Sequence, residues 1–237
     1  LPAEPAEALA GDPAFARVEL LRRVGLVEDA VQELEELTPL AAGDPARLYG
    51  VSSVFAQAER YHLALRIFRR YLAPLAASGD PGLPSAFWEI FYPFAWRAEL
   101  TEAAVAAGLD PYLVAAVVRE ESSYYPRAVS RSGARGLMQL MTGTAALLAP
   151  QRDLDDPAHN LKIGARFLAA LVRDFGDTRL ALAAYNAGPQ RARRWWTVRR
   201  TDDVEAFIEQ IPYEETRFYV KKVVLSWDEY RRIYGGR

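Results

Sequence analysis

The sequence predicts an all-α protein: helical hairpins of tetratricopeptide-like, superhelical character, followed by a second, mostly helical domain. Three observations carry this. Alternating apolar–polar runs are scarce. Helix caps recur, at Asp110-Pro111, Asp156-Pro157 and Asp177. The apolar pattern of residues 14–73 repeats at an offset of 34 residues, with Ala30 and Ala64 in matching places.

Residues 1–13 (LPAEPAEALAGDP) hold three prolines and no periodic apolar face, which predicts a mobile leader or linker. The first hairpin then runs through Phe15, Val18, Leu21 and Val24, turns near Gly25, and returns through Val27, Val31 and Leu34 to Pro39. The second runs through Leu48, Val51 and Phe55, turns near Arg60, and returns through Leu65, Phe68 and Leu72 to Pro74. Two copies alone leave stacking faces bare, so the pair is expected to end a longer superhelix. Residues 78–86 (SGDPGLPSA), dense in Gly and Pro, mark the boundary between a repeat region over 14–85 and a second domain over 86–237.

In that domain Asp110 is placed to cap a helix with Pro111 at its first position and Ser122 at its end. Asp156-Pro157 opens a long helix through Leu161, Leu168, Leu171 and Phe175, which Gly176 closes in a left-handed cap. Asp177 caps the next, which stops at Gly188-Pro189. Asp202 or Asp203 opens a short one, and the last spans about Tyr213 to Tyr234. Pro126, Gly133 and Gly136 break any helix over 124–140 and predict a tight loop or small hairpin there.

Composition narrows the chemistry. The 237 residues are 51% hydrophobic and 25% charged, and a net charge of −2 argues against a general nucleic-acid binder. Without cysteine there is no disulfide, zinc finger or thiol nucleophile. Two histidines, His62 and His159, leave little material for a metal site or a Ser-His-Asp triad. No metal and no cofactor is expected, and carboxylates are left as the working groups. No apolar run approaches the roughly 20 residues that span a bilayer, so no transmembrane segment is expected. Leu1 in place of an initiator Met reads as a processed or trimmed chain.

One carboxylate stands out by position. The helix from Pro111 ends in Arg119-Glu120-Glu121-Ser122, and the residues three, four and seven before Glu121 are Val118, Val117 and Val114. Glu121 therefore lies on an apolar stripe, while Glu120 lies about 100° around the helix, so both cannot easily enter one cleft. Burial and the negative end of the helix dipole both disfavour ionisation of Glu121, as a general acid requires. On spacing alone, a helix-end glutamate partnered by an arginine is the commoner case.

The surrounding text changes that balance. The strings Glu121-Ser122-Ser123-Tyr124-Tyr125-Pro126 and Gly133-Ala134-Arg135-Gly136-Leu137-Met138-Gln139-Leu140-Met141 are followed by Asp156-Pro157 with Asn160 and Gly164. Then come Ala184-Tyr185-Asn186-Ala187-Gly188-Pro189 and Ile211-Pro212-Tyr213-Glu214-Glu215-Thr216-Arg217 with Tyr219-Val220-Lys221. In this order and spacing, over roughly residues 87–235, they resemble the soluble lytic transglycosylases of bacterial cell walls, which also carry a helical superhelix ahead of the domain. The resemblance implies a lysozyme-like catalytic domain in the cell envelope. Its activity would be cleavage of the β-1,4 bond between N-acetylmuramic acid and N-acetylglucosamine with formation of a 1,6-anhydro end. Partners would be peptidoglycan glycan strands, and other cell-wall proteins reached through the repeats.

Carried over residue by residue, the resemblance makes Glu121 the single acid/base and Ser122 the residue orienting it. Gln139 and Met141 become sugar contacts in the cleft. Tyr185 and Asn186 come near the acid and the substrate's N-acetyl group. Glu215 is the acidic residue of the late block, read either as a substrate contact or as a structural ion-pair partner, and Tyr219 follows it. Met138 is expected in the core. Two positions depart from the family pattern: Tyr125, where Asn or Asp usually precedes the proline, and Thr142, where proline usually follows the Met-Gln-x-Met block.

Arg191-Ala192-Arg193-Arg194-Trp195-Trp196, with Arg199 and Arg200, is the densest basic-aromatic segment. It suits single-stranded nucleic acid by composition alone and stacking on sugars in a wall enzyme; core tryptophans with solvated arginines are the commonest arrangement. A hydrolase using the same cleft, or a scaffold that binds glycan without cutting it, are the alternatives to a transglycosylase.

Overall fold

The computed structural model describes residues 1–144, 153–198 and 203–236. Its elements are all helical. They divide into two units, Leu1–Pro93 and Phe94–Arg237.

In the first unit the two expected hairpins form. Helices α1 (Pro13–Arg23) and α2 (Val27–Leu37) turn at Gly25, whose φ of 81° suits a residue without Cβ. Helices α3 (Pro45–Gln57) and α4 (Tyr61–Ile67) follow, and α4 continues through a π-helical turn, Phe68–Leu72, into α5 (Ala73–Ala77). The side chains of Asp12 and Asp44 accept backbone N–H bonds at the starts of α1 and α3, caps worth about 1 kcal/mol each. Ala30 and Ala64 are both buried, as their matching places require.

Two boundaries differ from the reading of the sequence. Within residues 1–13, read as a leader or linker, Pro5–Leu9 form a 3₁₀ turn packed on α3, with Pro5 buried. The reason is Gly50, whose missing side chain leaves the room that Leu9 fills; a Cβ there would stand 2.7 Å from Leu9 Cγ. The Gly/Pro-rich stretch over 78–86 is a connection within the first unit, not its end. Helix α6 (Ser85–Phe91) belongs to that unit because Phe87 meets Tyr49 and Phe68 at 6.0 and 4.9 Å between ring centres.

The second unit is built around α8 (Pro111–Ser122), in which every residue from Leu113 to Arg119 is buried. It is preceded by α7 (Arg97–Ala107). It is followed by α9 (Pro157–Phe175), α10 (Thr178–Ala187), α11 (Pro189–Val198), α12 (Val204–Glu209) and α13 (Glu214–Tyr234). Helix α13 packs along α8, α9 along α7, and α10 lies against both α9 and α13. The caps fall where the sequence puts them: Asp110, Asp156, Asp177 and Asp203 each accept a backbone N–H, and Gly176 closes α9 at φ 72°.

Candidate active site

Helix α8 ends abruptly at Ser122, one residue past Glu121. Ser123 and Tyr124 both adopt left-handed backbone, at φ 53° and 62°, which costs roughly 1–2 kcal/mol per residue without glycine. Packing holds the turn: Tyr124 is fully buried, lies parallel to Trp96, and its hydroxyl accepts from Tyr230 at 3.1 Å. Glu121 is thereby fixed at the negative end of the helix.

The two adjacent carboxylates part company, as the 100° rotation between them dictates. Glu120 is almost fully buried, ion-paired with Arg119 and accepting from the Ser226 hydroxyl at 2.9 Å. Glu121 is only partly covered as a whole residue, but its carboxyl is deeply enclosed. Burial pushes its pKa up to about 7. The Tyr219 hydroxyl pulls the other way, and the charges of Glu120 and Glu215 add to the rise. That hydroxyl is buried, has no hydrogen-bond partner among the described residues, and lies close enough to act on the carboxyl. The Tyr185 and Tyr219 hydroxyls are themselves held far above the ordinary tyrosine range, first by burial and then by the Glu121 charge, so both stay protonated donors.

Beside this acid lies a cleft of about 350 Å³, lined by Gln139, Met141, Phe167, Tyr185, Asn186 and Arg191 among others. Its floor is the loop over 128–140. Backbone pairs Val129–Arg135 and Arg135–Leu140 close that loop as the small hairpin expected there. Asn160, which is fully buried, anchors it. Its amide oxygen accepts from Met138 N at 2.8 Å, and its NH₂ donates to the carbonyls of Leu154 and Arg135 at 2.9 and 3.1 Å. Close approach explains two glycines: a Cβ on Gly136 would stand 2.0 Å from Asn160 Nδ2, and one on Gly164 would stand 2.3 Å from Met138 Sδ. Met138 is fully buried, whereas Met141 is exposed on the cleft. Tyr185 ties the wall to the floor by donating to the Met138 carbonyl at 2.7 Å.

Most of the residues singled out in the sequence meet here. Gln139 faces the cleft with its NH₂ tied to the Ala128 and Gly136 carbonyls, which leaves its amide oxygen as the remaining acceptor. Asn186 lines the cleft and accepts from Thr216 at 2.7 Å. Glu215 is exposed in the first turn of α13 and, among the described residues, has no ion-pair partner. Ser122 departs from expectation. Its hydroxyl donates to the Val118 carbonyl in its own helix, and among the described residues it makes no hydrogen bond to Glu121. A serine in a last helical turn reaches the carbonyl four residues back more easily than its neighbour's side chain. In the basic-aromatic segment, Trp195 and Trp196 pack edge-on against Tyr213 and Phe207. Arg199 and Arg200 lie outside the described residues.

Residue-by-residue reading missed Asn160 as an anchor and Ser226 as the partner of Glu120. A buried asparagine in a helix's first turn, spaced to reach a glycine loop, was the available signal for the first. A larger cavity, about 450 Å³, lies wholly in the first unit, between the Pro5–Leu9 turn and α1, and holds none of these groups.

An enclosed carboxylic acid with its pKa raised to about 7, beside an open cleft in an all-α domain, is the arrangement a general acid requires. Comparison narrows the class of protein. Residues 99–208 match the transglycosylase SLT domain family. The soluble lytic murein transglycosylase of Salmonella typhimurium is 37% identical over 158 residues, covering 62% of this chain and 24% of that protein. Among solved structures, the 70-kDa soluble lytic transglycosylase SLT70 of Escherichia coli superposes with a TM-score of 0.77 at 28% identity, over 99% of this chain and 38% of that one. The lytic transglycosylase Slt of Pseudomonas aeruginosa, solved as an inactive Glu-to-Gln mutant, gives 0.74 at 29% identity, over 96% and 36%. Residues 99–208 thus carry a transglycosylase SLT domain, and the chain spans about a quarter of the length of the Salmonella relative.

Proposed function

We propose that this protein is a peptidoglycan lytic transglycosylase of the bacterial cell envelope, using Glu121 alone as acid and base. The observation that carries the reading is the division of labour between neighbours: Glu121 is enclosed with a pKa near 7 between Tyr185 and Tyr219, while Glu120 is engaged with Arg119 and Ser226. Glycosidases of the two-carboxylate type hold their acids about 5–9.5 Å apart and aim both at the scissile bond. Here one acid serves. Protonated Glu121 gives its proton to the leaving glycosidic oxygen, and the muramyl N-acetyl carbonyl supports the anomeric carbon. The resulting carboxylate then takes the proton of the C6 hydroxyl, whose oxygen closes on the anomeric carbon. Because that hydroxyl is tethered to the reacting sugar, its effective concentration can far exceed that of any dissolved nucleophile.

Gln139, Met141, Asn186 and Glu215 are the substrate contacts in this reading, and the helical repeats are the surface offered to other wall proteins. The inactive Glu-to-Gln form of the Pseudomonas relative supports a single glutamate. The 70-kDa soluble lytic transglycosylase solved in complex with bulgecin A supports ligand binding by a structure of this fold. A hydrolase is the second reading, favoured by one feature: Glu215, exposed and without an ion-pair partner among the described residues, could hold a water. Mass spectrometry of digested peptidoglycan separates the two. Anhydro products lighter by one water are expected, and reducing ends alone overturn the proposal. Glu121→Gln is expected to abolish cleavage with the fold retained; full activity in that variant removes Glu121 from its role.

A further inference from the structure

The two carboxylates at the end of α8 splay onto two points of α13. Glu121 meets Tyr219, and Glu120 meets Ser226. Tyr219 and Ser226 are a heptad apart on one buried face of α13, about 10 Å along its axis, with Val223 between them and Tyr230 beyond. Arg119, nearly buried, closes the far contact by pairing with Glu120 and reaching Ser226 at 3.3 Å.

We propose that Glu120, clamped by Arg119 and Ser226, is a positioning residue: it sets the register of α13 against α8 and thereby seats the Tyr219 hydroxyl on the Glu121 carboxyl. The proposal rests on Glu121 being the acid/base. Its geometric basis is that one helix carries both Tyr219 and Ser226 on its buried face, so any slide of α13 that loosens Ser226 from Glu120 also moves Tyr219. Glu120 acts through charge as well. The groups facing Glu121 are Tyr219 and Glu215 from α13, Tyr185 from α10, and Glu120 from its own helix. Tyr219 favours the ionised acid, and Glu120 and Glu215 oppose it.

The two functions of the clamp separate by sign. Glu120→Gln keeps an acceptor for Ser226 but removes a negative charge beside the acid. The alkaline limb of kcat/KM against pH should then move down, by about half a pH unit. Ser226→Ala keeps the charge but releases the register, so Tyr219 withdraws. The limb should move up, and kcat should fall roughly 3- to 10-fold with little change in KM. Introduced into Tyr219→Phe, Ser226→Ala should add nothing further, because the group it acts through is gone. A merely structural clamp would move neither limb.

An unmoved limb in both variants overturns the proposal. So does a Ser226→Ala effect that persists undiminished in the Tyr219→Phe background. If Glu120→Gln does not fold, the Ser226→Ala and Tyr219→Phe pair decides alone. Activity surviving in Glu121→Gln would instead overturn the underlying assignment, so the two failures are distinguishable.

Discussion

Replacing the proposed acid should stabilise the protein, and only above a certain pH. Folding lifts the Glu121 pKa from 4.5 to about 7, chiefly by burying the carboxyl. The folded protein therefore holds that proton more tightly than the unfolded chain does. Stability from this group is complete below pH 4.5, declines as pH rises toward 7, and is fully lost above it. At about 1.4 kcal/mol per pH unit, the loss at pH 8 is on the order of 3 kcal/mol. Glu121→Gln has no proton to lose and escapes that penalty while filling the same space. Thermal unfolding of the two proteins, followed by circular dichroism between pH 4 and 8, measures the difference. Equal Tm values are expected near pH 4, with the variant higher at pH 8 by roughly 6–12 °C for a domain of this size. Parallel curves across the range would refute the claim that the carboxyl is buried at a cost, and with it the physical basis for a neutral-pH acid.

The other expectations concern the floor of the cleft. Asn160→Ala removes three hydrogen bonds to buried backbone and should cost about 3 kcal/mol in urea unfolding; Asn160→Asp should fare no better, because it sets carboxylate oxygen against the Leu154 and Arg135 carbonyls. Gly164→Ala should lose about 1–3 kcal/mol by driving a methyl into Met138, and a melting temperature equal to wild type would contradict the close packing. Tyr185→Phe should lower stability by about 1 kcal/mol through the lost bond to Met138 and reduce kcat more than it raises KM, as steady-state kinetics on purified peptidoglycan would record.

What the sequence made legible was whatever local chemistry determines. Asp-Pro caps, the turn at Gly25 and the end of α9 at Gly176 depend on residues next to them, and they stand where spacing put them. The same holds for Glu121 and Glu120: a 100° rotation on one helix is enough to send them to different neighbours. Contacts across the fold were less legible. That Pro5–Leu9 is seated follows from Gly50, some forty positions on, and nothing in the proline-rich stretch announces it. The boundary at 93 rather than 85 follows from Phe87 finding Tyr49 and Phe68. The resemblance made Ser122 a support for Glu121, yet its hydroxyl turns back along the helix. Adjacency constrains direction poorly at a helix end, where backbone carbonyls compete for every hydroxyl.

The exposed position of Ser132 on the cleft lining has a practical consequence in a chain without a single thiol. Ser132→Cys would carry the only sulfhydryl of this sequence, exposed on the same cleft that Tyr185 and Arg191 line. A fluorophore or nitroxide coupled there reports occupancy from one defined point, with no background labelling to subtract. Added glycan would then be followed as a spectroscopic titration in the Glu121→Gln protein, which separates capture of the strand from any cleavage.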